Sequence, residues 1–483
     1  MHHSKKSRLE NFIQQFGIYF IYLSALVLTF LVRENFFFWD TVQLGSIHGQ
    51  FYFDNNFSSF FLPENIDSGH PPTFGIYIAL VWKIFGKSLV ASHSAMLPFL
   101  FGIIFYLEKL GKYFFQNSIF TFAFILLLIV DPCLAGQAVL VTPDIVVVFF
   151  FLMSLEGIFN KKRKILVIGI IGLCLISMRG IMVAAAIFSL DFLNYFFVLK
   201  KEIKFKSLFV NTLPYLFGVG LGLSFLLFHY LETGWIGYHE NSPWAPAFEK
   251  VDRSGALKNI VVLGWRLLDF GRIFLWLILL ILSVNIFRKK PQLDLKTQQL
   301  LILFSTLIFF LTPALIIHKM LLGHRYLLPI FLIIDFIAVY FIFKYVKKRE
   351  WKIGLFLVCL VGLSLGNFWV YPKKISQGWD STLAHLPYYK LRNDMIEFIE
   401  KEKIPFEKIG SAFPNLLSIK NIDLKDTEKH FEEKNLSEQE YIFYSNVFND
   451  FTDEEIDDLE KNWKVVKELK KQNVCVILYQ KNK

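Results

Sequence analysis

Apolar runs of membrane-spanning length recur in this chain from residue 12 to about residue 370, and a water-soluble fold has no way to bury them all. A helix needs roughly 20 apolar residues to cross the hydrocarbon of a bilayer. Runs near that length stand at roughly 12–32, 89–108, 118–134, 142–159, 164–178, 180–199, 208–230, 267–287, 298–317, 326–345 and 352–370, which predicts about eleven spans. Composition agrees: 54% hydrophobic with only 19% charged residues lies outside the soluble range. Residues 373–483 break the pattern, being charged, mixed in sign and free of such runs. The expected organisation is a membrane domain at 1–372 and a small α/β domain at 373–483.

The formal charge of +10 is distributed as membrane topology requires. With the N-terminus in the cytoplasm, the inner loops hold Lys109/Lys112, Lys161-Lys162-Arg163-Lys164, Lys200/Lys201/Lys204/Lys206, Arg288-Lys289-Lys290 and Lys344/Lys347/Lys348/Arg349. The outer face receives the segments at 33–72, 133–143, 178–180, 231–264 and 318–325. Nearly every basic cluster falls inside, as the positive-inside rule demands. These clusters form no groove-lining stripe, so nucleic acid is excluded as a partner. Lys5, Lys6 and Arg8 precede a first run too long for a signal-peptide core, which reads as an uncleaved anchor. Parity also constrains Thr73–Phe85: if this run spanned, every later loop would invert. It is expected to be an interfacial or re-entrant helix opened by Pro71-Pro72, since proline lacks the donor that a first turn cannot use. The same parity places the C-terminal domain outside. There, 441–444 and 474–479 read as strands and 453–471 as a helix, through the spacing of Ile456, Leu459, Trp463, Val466 and Leu469. An aromatic-rich linker around Trp379-Asp380 joins the two parts, and the domain shows no catalytic motif. Cys133, Cys174, Cys359 and Cys475 have no ligand or disulfide spacing.

Residues suited to chemistry gather on the expected outer face. Asp40 follows Phe36-Phe37-Phe38-Trp39 just past the first span. A carboxylate so close to the hydrocarbon is costly unless a cation offsets it. Asp54, Glu64, Asp67 and His70 share its segment. Asp144 opens a span after Thr142-Pro143, where a carboxylate also favours the positive end of the helix dipole. Asp131-Pro132 reads as a helix cap. Arg179 stands alone in a hairpin, either a ligand-binding cation or a snorkelling anchor. His324-Arg325 opens the span that continues Tyr326-Leu327-Leu328-Pro329. His229, His239, His318 and His385 lack ligand spacing and read as structural.

Taken together, Asp40 after the first span, Gly69-His70-Pro71-Pro72 leading into an aromatic helix that ends Trp82-Lys83-Ile84-Phe85-Gly86, Pro143-Asp144 opening a Phe-rich span, and Arg325-Tyr326-Leu327-Leu328-Pro329 resemble the GT-C membrane glycosyltransferases. The branch is that of the protein O-mannosyltransferases and aminoarabinose transferases. The resemblance implies transfer of a sugar from a polyprenyl-phosphate donor to an acceptor outside the cytoplasm. Asp40 matches the active-site carboxylate of the first loop and Asp144 the second acid. His70 and Arg325 match groups suited to the donor phosphate, with Arg179 a third candidate. Many members carry two adjacent acids in the first motif, whereas Asp40 is followed by Thr41, so the base and any metal dependence stay open. The acids permit a divalent metal without requiring one.

The residues suit that chemistry by themselves. Sugar transfer needs a base for the acceptor hydroxyl and positive charge where the leaving phosphate develops its own. The expectation is a multi-pass enzyme of the cytoplasmic membrane with Asp40 as base. Its acceptor is a lipid, a protein or a glycan. The alternative is a polyprenyl-linked glycan transporter or flippase without chemistry, which would line a path with charges inside its spans.

Overall fold

The computed structural model describes residues 8–199, 205–240, 245–288, 293–319 and 321–482. Lys5, Lys6, Lys200, Lys201, Lys204, Lys289, Lys290 and Trp244, which bear on the expected topology, lie outside them. The chain is a helical bundle followed by a small sheet. Its helices are α1 (Arg8–Val32), α2 (His48–Asp54), α3 (Thr73–Phe85), α4 (Leu89–Ser94), α5 (Leu97–Phe115), α6 (Ser118–Ile129), α7 (Pro132–Ala138), α8 (Pro143–Phe159), α9 (Arg163–Ile176), α10 (Met178–Leu193), α11 (Phe205–Thr233), α12 (Arg253–Leu268), α13 (Arg272–Arg288), α14 (Leu295–Ile317), α15 (Leu328–Tyr345) and α16 (Arg349–Gly366).

Among the described residues, six helical segments are long and apolar enough to cross a membrane, or eight if each of two bent pairs counts as one span. The protein is a multi-pass membrane protein. Every one of the eleven expected segments is helical, but not all have full crossing length. Helices α8 and α9 hold 17 and 14 residues, so at about 1.5 Å per residue both fall short of a ~30 Å hydrocarbon layer. Helix α3 has 13 residues and is likewise too short to cross. It starts directly after Pro72, as the paired prolines require.

The two bent pairs have identifiable causes. At the first, α6 and α7 meet at 71° where Pro132 cannot continue the helix, and Asp131 caps α7 by accepting from the Cys133 and Leu134 amides. At the second, α12 and α13 meet at 89°. Phe270 and Gly271 both adopt positive φ there, and a Cβ on Gly271 would lie 2.0 Å from the Gly362 carbonyl oxygen of α16. The sequence pattern places residues 231–264 in a loop and begins a span at 267. The structure corrects this: α12 is a separate helix, and the span starts only after the Gly271 turn.

Helix α15 is the axis of the bundle, with every side chain from Leu328 to Ile342 buried. A helix that is apolar on all faces belongs in such a position. Beside it Asp131 and Arg272 form an ion pair at 2.6 Å, both 0% exposed, with the guanidinium 3.7 Å from the centre of the Phe331 ring. The pair joins the two helix breaks through the core.

The C-terminal part has helix α17 (Pro387–Lys401), strand β1 (Ile409–Ser411), helix α18 (Ile419–Asp423), strands β2 (Glu432–Glu433) and β3 (Tyr441–Ser445), helix α19 (Asp453–Asn462) and strands β4 (Trp463–Lys471) and β5 (Val474–Lys481). The strand order is β2-β1-β3-β5-β4. β1 runs parallel to both neighbours, while β5 is antiparallel to β3 and β4. Both expected strands are present. The expected helix at 453–471 is corrected to α19 followed by β4. The register of β4 against β5 shifts between Val465 and Lys467. The apolar stripe begins in a true helix, where Ile456 and Leu459 of α19 are buried, and its spacing runs on into β4 through Trp463, Val466 and Leu469 although the chain there is extended.

Removing one partner of a buried ion pair leaves an uncompensated charge at a cost of about 3–5 kcal/mol. Asp131→Ala is therefore expected to lower the thermal midpoint of the detergent-solubilised protein sharply. Asp131→Leu combined with Arg272→Met should recover much of the loss. A single variant as stable as wild type in that melt would remove the pair from its structural role.

Candidate active site

The site is built from helix beginnings. Thr142 caps α8, its hydroxyl accepting from the Asp144 amide at 3.2 Å, and Pro143 supplies the first turn. Ser177 caps α10 by accepting from the Gly180 amide, which puts Arg179 in that helix's first turn. A short turn, His324–Leu327, feeds α15 and carries Arg325. Asp144 stands where a helix dipole welcomes it; Arg179 and Arg325 stand where the dipole opposes them and need carboxylate partners.

They have them. Arg179 bonds Asp144 directly. Arg325 bonds Asp40 through Nη2 and Asp380 through Nη1 at 2.5 Å, and its Nε lies 4.0 Å from Asp144. Both guanidiniums lie near Tyr326, their carbons 4.3 and 5.1 Å from its ring centre. Asp40 follows Trp39, which adopts a left-handed φ of 58°. The chain then enters a π-helical turn, Val42–Ile47, and such turns are frequent at functional sites.

A cavity of about 310 Å³ opens onto this cluster. Asp40, His70, Asp144, Arg179 and Arg325 all line it, so the five residues singled out in the sequence share one chamber. Leu44, Phe74, Ile176, Met182, Leu311 and Leu315 make the rest of its wall largely apolar. The chamber thus combines charged groups with an apolar wall. His70 contributes a ring whose Nδ1 is buried and without a hydrogen-bond partner. Burial, with Arg179 nearby, pushes its pKa down from the ordinary 6.5 to about 4, so at neutral pH His70 is an uncharged hydrogen-bonding group and not the cation a phosphate site suggests.

Other candidates fall elsewhere. Asp67 is buried and bonded to His229 at 2.9 Å and to the Gly69 amide at 2.8 Å, which anchors the loop that carries His70. Asp54 and Glu64 are exposed. Asp131 is the helix cap it resembles. His324 pairs with Asp269 at 2.7 Å, outside the chamber.

Sequence reasoning missed three contributors. His48 lines the chamber and bonds the Ile66 carbonyl at 2.8 Å; its place eight residues after Asp40, two helical turns on, was a usable signal. His318 also lines it. Asp380 was read as linker, and nothing in its local sequence marks it. A divalent metal does not fit the arrangement: Asp40 and Asp144 already spend oxygens on guanidiniums, and no group of three or more metal-ligating side chains occurs among the described residues.

No family model matches the sequence, and no curated protein matches it. Two solved structures match the fold along nearly its whole length. One is ArnT from Cupriavidus metallidurans bound to undecaprenyl phosphate, with 11% identity over 96% of this chain and 98% of that one and a TM-score of 0.52. The other is ArnT from the same organism in the apo state, with 11% identity, 95% and 97% coverage and a TM-score of 0.52. The likeness is one of fold, and it bears out the GT-C-like architecture expected from the motifs.

His48, His70 and His385 lie outside the spans, and burial pushes the pKa of each to about 4 from 6.5. Between these values the unfolded chain binds more protons than the folded one, so stability is retained above pH 6.5 and lost as pH falls toward 4. The thermal midpoint should be flat from pH 8 to about 7 and decline steadily below 6.5. A midpoint unchanged down to pH 4.5 would show that these rings are not buried neutral.

Proposed function

We propose that the protein is a membrane glycosyltransferase that moves a sugar from a polyprenyl-phosphate donor to an acceptor hydroxyl on the extracytoplasmic face of the cytoplasmic membrane. The observation that carries this reading is the chamber itself, where guanidiniums and carboxylates meet at helix N-termini beside an apolar wall. Helix N-termini and arginine forks suit a phosphate, and an apolar wall suits a polyprenyl chain. The fold shared with ArnT, crystallised with undecaprenyl phosphate, supports the same donor class.

In this reading Asp40 takes the proton of the acceptor hydroxyl. The hydroxyl oxygen bonds to the anomeric carbon, the bond from that carbon to the phosphate oxygen breaks, and its electron pair leaves with the polyprenyl phosphate. Asp40 and Arg325 share a direct bond, so the two halves of the reaction are linked. Protonation of Asp40 discharges its side of the pair and frees Arg325 Nη2 for the oxygen that gains charge. Arg179 and Asp144 flank the same space, and His70 offers a neutral hydrogen bond. The acceptor is a lipid, a protein or a glycan carrying a free hydroxyl. The N-terminus lies inside and residues 373–483 form the domain outside.

The transporter alternative is disfavoured by where the span charges lie. Asp131 and Arg272 have no exposure and are paired, with the buried Asp335 beside them; Asp269 is paired with His324, and Asp191 with the partly exposed Arg163 at 2.8 Å. None of these lines the chamber.

Purified protein incubated with radiolabelled polyprenyl-phosphate sugars and acceptor-rich membranes should consume at least one donor. Asp40→Asn should lower turnover by roughly 10²- to 10⁴-fold, the usual contribution of a general base. No turnover across a broad donor panel would favour a transporter, and full activity of Asp40→Asn would take the base role from Asp40.

A further inference from the structure

The side chain least accounted for is Asp380. It lies 340 residues from Asp40 in sequence, on a short helical turn, Trp379–Ser381, in the segment leading to the sheet. It is nonetheless buried beside Arg325. Its seating is specific. Gln137 Nε2 donates to its main-chain carbonyl at 2.9 Å. Ser381 Oγ lies 3.2 Å from its second carboxylate oxygen. The turn presses against α7 at Gly136, where a Cβ would lie 2.6 Å from the Thr382 nitrogen and 2.9 Å from the Asp380 oxygen. Only glycine lets the turn come so near.

The C-terminal part also holds the segment that carries Asp40. The Phe37 amide donates to the Ile422 carbonyl at 3.0 Å. His385 stacks on Phe38 with ring centres 4.9 Å apart, and Tyr389 meets Phe36 at 4.7 Å. Arg392 lies over Phe36 at 4.4 Å and is itself paired with Asp423. Both members of the Asp40–Arg325 pair are therefore set by residues beyond position 372.

We propose that the C-terminal domain is a working part of the site, with Asp380 as a positioning residue that holds Arg325 between two carboxylates and tempers its attraction for the donor phosphate. The proposal rests on the polyprenyl-phosphate reading above. With Asp380 in place, the guanidinium keeps one fixed partner when Asp40 is protonated and turns only its other edge to the phosphate. Without that charge, Arg325 binds phosphate more tightly in the resting state and gains less in the transition state, which lowers kcat instead of raising it.

The test uses full-length protein in detergent or nanodiscs, with Asp380→Asn, which keeps the shape, and Asp380→Glu, which keeps the charge. A charge-assisted bond of about 1.5–3 kcal/mol corresponds to roughly 10- to 100-fold. Asp380→Asn should lower kcat by that factor while donor KM falls, and it should bind sugar-free polyprenyl phosphate several-fold more tightly by thermal-shift titration. Asp380→Glu should recover part of both effects. A purely structural role would reduce the active fraction and leave KM and phosphate affinity unchanged, and that result overturns the proposal. So does a variant within about twofold of wild type in both measurements. If wild type transfers no sugar at all, the parent reading fails separately, and the phosphate titration still decides whether Asp380 governs Arg325.

Discussion

A guanidinium at the wrong end of a helix organises this protein. Arg325 enters the turn that starts α15, the most buried helix in the bundle. The helix dipole there repels a cation, and burial removes the water that would screen it. The charge is tolerable only if carboxylates come to it. They come from residue 40 after the first helix, from residue 144 at the head of α8 and from residue 380 beyond α16. One electrostatic requirement thus draws three remote parts of the chain to one point, and the chamber is the space that remains beside them.

Arg179 repeats the arrangement on a smaller scale, at the head of α10 and paired with Asp144. Both arginines lie close to the ring of Tyr326. Three carboxylates against two guanidiniums leave the cluster with an excess of negative charge, because His48 and His70 are neutral at physiological pH. An anion entering this space is not met by free cations. It must displace a carboxylate or arrive as one is protonated. In the proposed reaction, proton uptake by Asp40 and charge development on the leaving phosphate would be events of opposite sign at the two ends of one ion pair, each making the other easier.

Much of this was legible in the sequence, for reasons that differ by residue. Helix starts leave local marks, so Thr142-Pro143-Asp144, Arg179 and Pro71-Pro72 could be placed before any coordinates. The shortness of Thr73–Phe85 is likewise marked locally, by the paired prolines before it and Gly86 after it. Other features leave no local mark. Asp380 bonds Arg325 through a contact between segments with no periodicity to reveal it. The turn at Phe270-Gly271 hides inside an apolar run, since what bends the chain is the close approach of α16. Strand β4 continues the apolar spacing of α19 without a break in composition, so the end of the helix at Asn462 carries no local mark. The failures have a common cause: each depends on what the segment packs against.

The same distinction explains why the C-terminal part shows no catalytic motif. A domain that performs chemistry displays a motif, but a domain that holds another domain's residues in place displays only packing. Phe36, Phe38 and Trp39 could be read as a membrane-interface belt. In the structure their rings meet Tyr389, His385 and Phe413. The aromatic run is thus an internal seam that fixes the angle at which Asp40 leaves the first helix. Asp40 directly follows that seam, and Arg325 is bonded to Asp380 of the same C-terminal part, so the C-terminal residues touch the settings of both members of the pair.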